Sequence, residues 1–567
     1  MPTITKGPIG AQDFNNYDGV NESFSRLTSD GYTLTLQSVG HEVDVLMVYG
    51  GGVNYTSAAI TLALTAIGTT NHAALILRPG TWTVSANVDW SAYTNVTFKV
   101  MAGAVFSHST KNINIPNLVA GHYQIFSGTG AITFSGAIKE VYPEWWGTDT
   151  TAFQAAYTAA DGGTLKLSRK TYSIGALTFD KYVLVEGCGK NTILKATAAV
   201  TEFISIDPGP IDADMGYYHP SGLRNLWVDG TLTSDCTGVI VGAGTGSATT
   251  ILDNVTITGF GGGDGLGLKI SASVGFVGNN VIVTKCDRNV LLSGEVASYP
   301  TTTFFRGGAV RDSLTYEGCL VESSTQLTFD GTIFEHNYQE GLKIAPTSGY
   351  NAAWNILRSC WFEGNWYDDG AITTKYSLTV DGTVAGVTAG VQMYDTFFNV
   401  SGTSEKAIDF NKVYDTYLTN VVIGASTGLA DGVYIQNALS RIIINAQATR
   451  QDWSTILNYA ETGASVTFMH EGSEIHYLEA DSATPSVGYG NYYVTKNTVA
   501  TTITFLNNGY IGQHVKIRFA DTNTTFDFSG TNMYGNAGVD FTGAVHDWVE
   551  CVFDGTRWYC AVHDCVA

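Results

Sequence analysis

The sequence predicts an all-β protein whose main body is a parallel β-solenoid. Charged residues make up only 14% of the 567 residues, whereas aromatic residues make up 12% and glycine occurs 64 times. From about residue 177 to residue 445, short runs of alternating apolar and polar residues follow one another, and Asn or Gly ends each run. Strand-like runs that recur every ~20–30 residues without helices between them are typical of a solenoid, in which each repeat adds one turn.

A short helix followed by a strand marks the start of the main solenoid. Apolar residues recur at helical spacing from Phe153 to Ala160, and Asp149 precedes them in the N-cap position. Gly162 and Gly163 are placed to end the helix. The alternation that follows predicts the first strand of the solenoid.

The same order of helix and strand occurs earlier in the chain. Residues 56–67 have a helical pattern, and residues 75–84 align with residues 165–174 at an offset of 165 − 75 = 90 residues. This repetition predicts either two consecutive solenoid starts or one preliminary β module before the main solenoid.

The entry segment 141–174 and the runs after it resemble the right-handed parallel β-helix of the pectate-lyase-like superfamily, as found in phage and prophage tailspike polysaccharide depolymerases. The resemblance implies a homotrimer that binds and depolymerises a bacterial surface polysaccharide. It also implies a location on the virion tail, with synthesis in the host cytoplasm and action at the cell exterior. A phage tail or adaptor protein would be a compatible partner.

The expected domain order has four parts. They are an N-terminal attachment or capping segment at 1–50, a first β module with a capping helix at 51–147, the parallel β-helix at 148–470, and a C-terminal β-sandwich for trimerisation or glycan binding at 471–567. Cys551 and Cys560 flank a predicted hairpin in the last part, and free thiols are expected there because the cytoplasm is reducing.

The net charge limits the classes of partner that we expect the chain to bind. The net charge of −22 argues against nucleic acid and against an anionic membrane. An anionic glycan would need a local basic patch. We expect no membrane span, because the chain has no run of 18 apolar residues. We expect no cofactor, although Asp368, Asp369 and Gly370 leave a calcium site open, without the spacing of an EF-hand.

Two glutamates form the favoured catalytic pair. Asn337 in IFEHN and Asn365 in WFEGN lie 365 − 337 = 28 residues apart, and aligning the repeats on them superimposes Glu335 and Glu363. If 28 residues make one rung, the two glutamates lie on adjacent strands, about 4.8 Å apart. Carboxylates that close move each other's pKa values apart, which provides an acid beside a base or nucleophile. A structural ladder of turn and surface residues is the competing interpretation.

Further residues extend this prediction. Using Asn289 as a third marker adds Asp287 to the position of Glu335 and Glu363. The predicted catalytic residues are Glu335, Glu363 and Asp368, and Asp330, Asp369 and Glu340 lie near enough in sequence to substitute for either partner. Aromatic rings stack on sugars and basic groups bind acidic ones. The predicted substrate-binding residues are Trp361, Trp366, Tyr367, Tyr338, His336, Lys343 and Arg358.

Glycoside hydrolysis is the favoured reaction because the paired carboxylates are the more convincing pattern. A polysaccharide lyase, with or without calcium, is the alternative: it needs a base and a group that neutralises a uronate, and His336, Lys343, Arg358 and Tyr367 are available. A receptor-binding spike without catalysis is the third hypothesis.

Overall fold

The computed structural model describes most of the chain from residue 41 onward. The described ranges are 41–49, 51–136, 140–197, 200–209, 221–231, 235–243, 247–294, 300–366, 375–384, 389–400, 405–414, 416–425, 432–436, 441–445, 457–459, 465–469, 476–488 and 490–565. The chain is all-β and forms about 15 turns of parallel β-solenoid. It divides into two compact units, Met1–Thr258 and Gly259–Ala567. Within the described ranges, no helix is both long and apolar enough to cross a membrane.

The first unit already contains parallel rungs before the predicted start of the main solenoid. Its helices are Val45–Val48, Ser57–Ile67 and Thr150–Ala159, with a 3-10 turn at Pro143–Trp145. Three short sheets surround the early core, and the strand Ala73–Leu77 pairs in parallel with Val96–Val100. The early module is therefore built like the solenoid that follows it, which explains the repeated sequence pattern.

The strands of the first unit follow one another with few interruptions. They are His41–Asp44, Ala73–Leu77, Gly80–Thr83, Val88–Asp89, Val96–Val100, Ala104–Ser109, Ile113–Ile115, Leu118–Val119, Phe126–Gly128, Ile132–Phe134, Glu140–Val141, Thr164–Lys166, Thr171–Ile174, Leu177–Phe179, Leu184–Glu186, Ile193–Ala196, Glu202–Ile206, Ser221–Asp229, Thr237–Val241, Ser247–Ala248 and Thr250–Thr258.

The third helix, Thr150–Ala159, begins where the sequence predicts. The carboxylate of Asp149 accepts the backbone N–H of Ala152 at 2.7 Å, as an N-cap does. The buried ring of Tyr157 stacks on Phe179 with ring centroids 4.4 Å apart, and its hydroxyl donates to the carbonyl of Lys181. These contacts fix the helix against the first strands that follow it.

Each complete rung of the second unit has three strands. Two lie in one parallel sheet and are joined by a bend, and the third follows a turn and lies in a second parallel sheet. The first sheet contains Ser273–Val274, Val277–Asn279, Ile282–Thr284, Thr301–Arg306, Ala309–Arg311, Ser324–Asp330, Ile333–Glu335, Ala352–Arg358, Trp361–Glu363, Ala389–Tyr394, Phe397–Val400, Thr416–Thr419, Val422–Ala425, Arg441–Asn445 and Ser465–Met469. The second sheet contains Leu266–Ile270, Arg288–Leu292, Cys319–Val321, Leu342–Ile344, Lys375–Asp381, Glu405–Asn411, Val433–Ile435 and Leu457–Tyr459.

A buried asparagine ladder connects successive rungs at the turn between the two sheets. Asn337 donates to the side chain of Asn365 at 2.9 Å and to the carbonyl of Val310 at 3.0 Å. Its side-chain oxygen accepts from Asn289 and from the backbone of Ser313. Because such amides satisfy one another and the turn backbone, they replace the water that a buried turn would otherwise need.

The C-terminal part of the second unit contains a six-stranded and a three-stranded sheet. The larger sheet has the order His476–Tyr477, Tyr492–Val494, His514–Arg518, Trp548–Phe553, Trp558–His563 and Met533–Gly535, and the smaller has Thr501–Ile503, Thr524–Phe526 and Phe541–Thr542. A 3-10 turn lies at Asn536–Gly538. Both sheets contribute to one apolar cluster that includes Ile503, Phe526 and Trp558.

The predicted hairpin is present, but its cysteines are not free. Cys551 and Cys560 are directly opposed across the antiparallel pair, and a disulfide joins them. The two residues were expected to be able to lie opposite each other, but the expectation of free thiols gave more weight to the reducing cytoplasm than to how closely a cross-strand pair brings the two side chains.

We predict that Asn337→Ala lowers stability by about 2–4 kcal/mol, because it leaves several buried hydrogen-bonding groups unpaired. The measurement is the midpoint of unfolding in guanidinium chloride. The matched control is Asn54→Ala, since Asn54 is exposed. Equal midpoints for the two variants would contradict a stabilising role for the ladder.

Candidate functional site

The predicted glutamate pair lies on adjacent strands. Glu335 and Glu363 are register partners in the parallel pair Ile333–Glu335 and Trp361–Glu363, so 28 residues do make one rung here. Glu335 accepts from the guanidinium of Arg311 at 3.1 Å. Glu363 accepts from the amide of Asn399 at 2.8 Å and from the indole N–H of Trp361 at 2.9 Å. The pair is thus the centre of a polar ladder that occupies one position in four successive rungs.

Asp287 does not belong to this ladder. The strand register pairs Glu335 with Arg311 and Arg311 with Thr284, so the position of Glu335 two rungs earlier is Thr284. The sequence alignment passed over the intervening rung that carries Arg311. Asp287 instead accepts three backbone N–H groups of the glycine-rich loop 262–265, each at 2.9 Å. Its role is to hold that loop.

The aromatic residue beside the pair is partly open. Trp361 is 39% exposed, and its ring stacks on Phe397 of the next rung with centroids 4.4 Å apart. Ile333 occupies the same position in the preceding rung. The column therefore offers a sugar the exposed part of Trp361, between two apolar neighbours.

The other predicted residues separate in space. His336 and Arg358 are exposed, and Tyr338 is half-buried at the turn after Glu335. Trp366 is only 8% exposed, and its indole N–H donates to the carbonyl of Tyr376, which makes it a core residue with no open face for a sugar. Tyr367 and Asp368 lie outside the described residues.

Lys343 lies on a different face of the solenoid from Glu335 and Glu363. It lies on the second sheet, where Lys343, Thr379, Asp409 and Tyr434 are register partners in four successive rungs. The residues on either side of this column are buried core residues such as Leu378. Because side chains alternate along a strand, the column faces away from the core.

Two buried carboxyl groups lie at this column. Glu340 accepts from the hydroxyl of Thr379 at 3.2 Å and lies 3.6 Å from the ammonium of Lys343. Asp409 accepts from the amide of Gln436 at 2.6 Å. Both residues are about 95% buried, at 6% and 5% exposure. Within the described part of the chain, Oε2 of Glu340 and Oδ1 of Asp409 have no hydrogen-bond partner.

Burial sets the acidity of both groups. It raises the pKa of Asp409 to about 6, and the negative charges of Asp381 and Glu340 add to the increase. The hydrogen bond from Gln436 and the charge of Lys406 oppose it. Burial also raises the pKa of Glu340 above its usual value. With a pKa of about 6, Asp409 can keep a proton in the mildly acidic range and give it to a reactant.

Aromatic and cationic groups flank these carboxyls. The rings of Tyr376 and Tyr434 are stacked with centroids 6.3 Å apart, and the ammonium of Lys406 lies 4.7 Å from the centroid of the Tyr434 ring. We define the carboxyl face by Glu340, Lys343, Thr379, Asp409 and Tyr434. It combines proton-donating groups, cations and aromatic rings, which is the set of groups that an acidic polysaccharide or its cleavage would use.

Metal ligation has no comparable support among the described residues. No three His, Cys, Asp or Glu side chains there are arranged to hold a metal ion.

From the sequence, Glu340 was predicted only as a substitute for a catalytic residue, and Asp409 was not predicted to belong to the site. The sequence nevertheless contains a pattern that indicates the position of Asp409. The segments LKI, LTV, IDF and VYI each place one residue between two apolar ones, and the middle residues form the column. The pattern does not predict that the carboxyl of Asp409 is buried, because this burial depends on residues of neighbouring rungs.

The fold is that of a parallel β-solenoid protein, and two solved structures are similar to this chain. One is the tailspike protein gp49 of the Acinetobacter baumannii bacteriophage Fri1, a capsular polysaccharide depolymerase, with 12% identity, a TM-score of 0.34, and coverage of 76% of this chain and 80% of that chain. The other is the A-module of the mannuronan C-5 epimerase AlgE6 of Azotobacter vinelandii, with 14% identity, a TM-score of 0.22, and coverage of 74% and 95%. No family model and no curated protein matches the chain. Likenesses this distant leave the activity to be argued from the residues.

We predict that Asp409→Asn stabilises the protein at pH 8 and not at pH 4. The pKa is about 6 in the folded chain and about 3.9 in the unfolded chain, so the folded state binds the proton more tightly. Asp409 therefore lowers the free energy of unfolding progressively as the pH rises from about 4 to 6. Above pH 6 the loss stays constant, at about 3 kcal/mol at most. The measurement is the thermal midpoint at both pH values. The exposed Asp161→Asn is the control, and an unchanged midpoint of Asp409→Asn at pH 8 would contradict the buried charge.

Proposed function

We propose that this chain is an enzyme that binds and depolymerises a bacterial surface polysaccharide by glycoside hydrolysis. The proposal includes a trimeric tailspike on a phage or prophage virion, made in the host cytoplasm and acting at the cell exterior. The observation that carries the reaction is the pair of buried carboxyls with unpaired oxygens, Glu340 and Asp409.

The chemistry needs one carboxyl that holds a proton and one that does not. Asp409 is proposed as the general acid that protonates the glycosidic oxygen, since its raised pKa keeps it protonated into the mildly acidic range. Glu340 is proposed as the carboxylate that activates water or attacks the sugar carbon. A sugar hydroxyl or the transferred proton would satisfy the unpaired oxygens, and the stacked tyrosines would support a sugar ring.

Glu335 and Glu363 are the second proposed pair. They are adjacent and lie beside the exposed part of Trp361, which supports contact with a polysaccharide. They rank below the carboxyl face because, in the described part of the chain, neither has a buried oxygen without a partner, as Glu340 and Asp409 do, and because Glu335 already accepts from Arg311 and Glu363 from two donors. Binding would have to displace those partners.

A polysaccharide lyase is the second candidate function. It is favoured by two cations, Lys343 on the carboxyl face and Lys406 beside it, which could neutralise a uronate carboxylate, and by Tyr434 next to Lys406 as the group that moves the proton. Both reactions would use the same face, so the product and not the site distinguishes them.

We predict that Asp409→Asn and Glu340→Gln each lower kcat/KM for polysaccharide cleavage by about 10²–10⁴-fold, because each removes a proton-transfer group. The assay incubates the full chain with a panel of neutral and acidic bacterial polysaccharides. It reads reducing ends and ultraviolet absorbance together. Reducing ends alone indicate hydrolysis, and added absorbance indicates elimination.

The comparison variants are Glu335→Gln and Glu363→Gln. If these two abolish cleavage while Asp409→Asn retains it, the reaction belongs to the second pair. If the wild-type chain binds a glycan that it does not cleave, the chain is a receptor-binding spike and not an enzyme.

We also predict a pH dependence. If Asp409 acts as the general acid, kcat/KM falls about tenfold per pH unit above roughly pH 6, because only the protonated form reacts. The profile is measured from pH 4.5 to 9. A rate that increases through pH 6 would mean that this carboxyl acts as a base.

A further inference from the structure

The six-stranded C-terminal sheet has one face on the core and one face open to solvent. Along Trp548–Phe553, the residues Val549, Cys551 and Phe553 are buried, so Trp548, Glu550 and Val552 face outward. In the antiparallel partner strand, Tyr559 is opposite Val552 and Ala561 is opposite Glu550.

The outward residues form a depression of about 410 Å³ lined by His514, Tyr534, Glu550, Val552, Tyr559, Cys560 and Ala561. Its floor contains the small residues Val552 and Ala561. We call this depression, with the residues that line it, the aromatic depression.

Two tyrosines form one side of the aromatic depression. Tyr534 and Tyr559 are register partners at the edge of the sheet, and their rings are stacked with centroids 5.9 Å apart. They remain 44% and 47% exposed. Arg557 lies beside them, with its guanidinium 5.3 Å from the centroid of the Tyr534 ring. The stacking of the two rings and this cation reduce the ordering that binding of a ligand would require.

A second aromatic group lies on the same outward face. Trp548 and His563 are stacked at 3.5 Å between ring centroids, and the ammonium of Lys516 lies 3.6 Å from the Trp548 ring. Lys516 is the register partner of Glu550. The outward face of the sheet therefore carries further aromatic rings together with a carboxylate and a cation, and the cation lies over the Trp548 ring.

We propose that the aromatic depression is a non-catalytic binding site for one saccharide unit of a polysaccharide. A pyranose has apolar C–H faces, which pack on aromatic rings, and hydroxyls around its edge, which bond to groups such as the carboxylate of Glu550 and the imidazole of His514. The depression is small for a stable protein interface, which needs about 800 Å² from each partner. This site does not depend on cleavage, because it contains neither carboxyl pair of the proposed enzyme.

The test is binding of the full-length chain at 4 °C to immobilised bacterial polysaccharides, alginate and dextran. We expect Tyr534→Ala and Tyr559→Ala each to weaken retention at least tenfold, and Tyr559→Phe to keep most of it because the ring remains. The control is Tyr477→Ala, since Tyr477 is 62% exposed on the same sheet but outside the depression. Alginate and dextran distinguish an acidic from a neutral saccharide.

Three results overturn the proposal: no retention of the wild-type chain on any probe, equal retention by the alanine variants and the wild type, or equal loss in Tyr477→Ala. Light scattering is run on every variant, and a change of mass in Tyr559→Ala would assign the depression to a contact between copies of the chain. Cleavage is measured separately. Binding without cleavage defeats the proposed enzyme and leaves this site standing, and cleavage with unchanged binding in the alanine variants defeats this site alone.

Discussion

Parallel register is the constraint on which the rest of this structure depends. Each strand of the solenoid lies about 4.8 Å from the strand one rung away, so a residue meets the residue at its own position in the next rung. The fold therefore tolerates a side chain only if it can pack beside the residues at the same position in the neighbouring rungs. Apolar positions satisfy this by stacking, as Phe334, Phe362 and Phe398 do with ring centroids 4.8 and 4.5 Å apart.

Polar positions need complementary neighbours in the same column. Arg311 and Asn399 donate from the two outer rungs to Glu335 and Glu363 in the two rungs between them, so the two like charges lie side by side where other partners bond each of them. Inside the turn, amides are suited to the same task because each carries both a donor and an acceptor, as in the asparagine ladder. The polar ladder that contains Glu335 and Glu363 and the asparagine ladder in the turn both pair polar groups that the parallel register places beside one another.

This regularity decides what the sequence can predict. The 28-residue spacing of Asn337 and Asn365 was sufficient to pair Glu335 with Glu363, and the helical spacing after Asp149 was sufficient to place the third helix. Errors arose where the rung length changed. Arg311 precedes Glu335 by 335 − 311 = 24 residues, and an alignment on asparagines alone misses that rung and places Asp287 wrongly. Trp366 was misjudged for another reason, since it is 8% exposed and its indole N–H donates to the backbone of Tyr376, a contact that no local pattern contains.

The contrast between the asparagine ladder and the carboxyl face bears on function. Both contain polar groups that are more than nine-tenths buried, and both belong to the same repeating framework. The amide of Asn337 is bonded on both its oxygen and its nitrogen, as expected for a group whose role is structural. Glu340 and Asp409 are not fully bonded, and their burial works against the stability of the ionised state. Thr or Asn at position 409 would fill the same space between Thr379 and Tyr434 without that cost. The asparagine ladder pairs the amide of Asn337 fully, whereas the carboxyl face retains two incompletely bonded carboxyls, and we propose that these exchange a proton with a bound substrate.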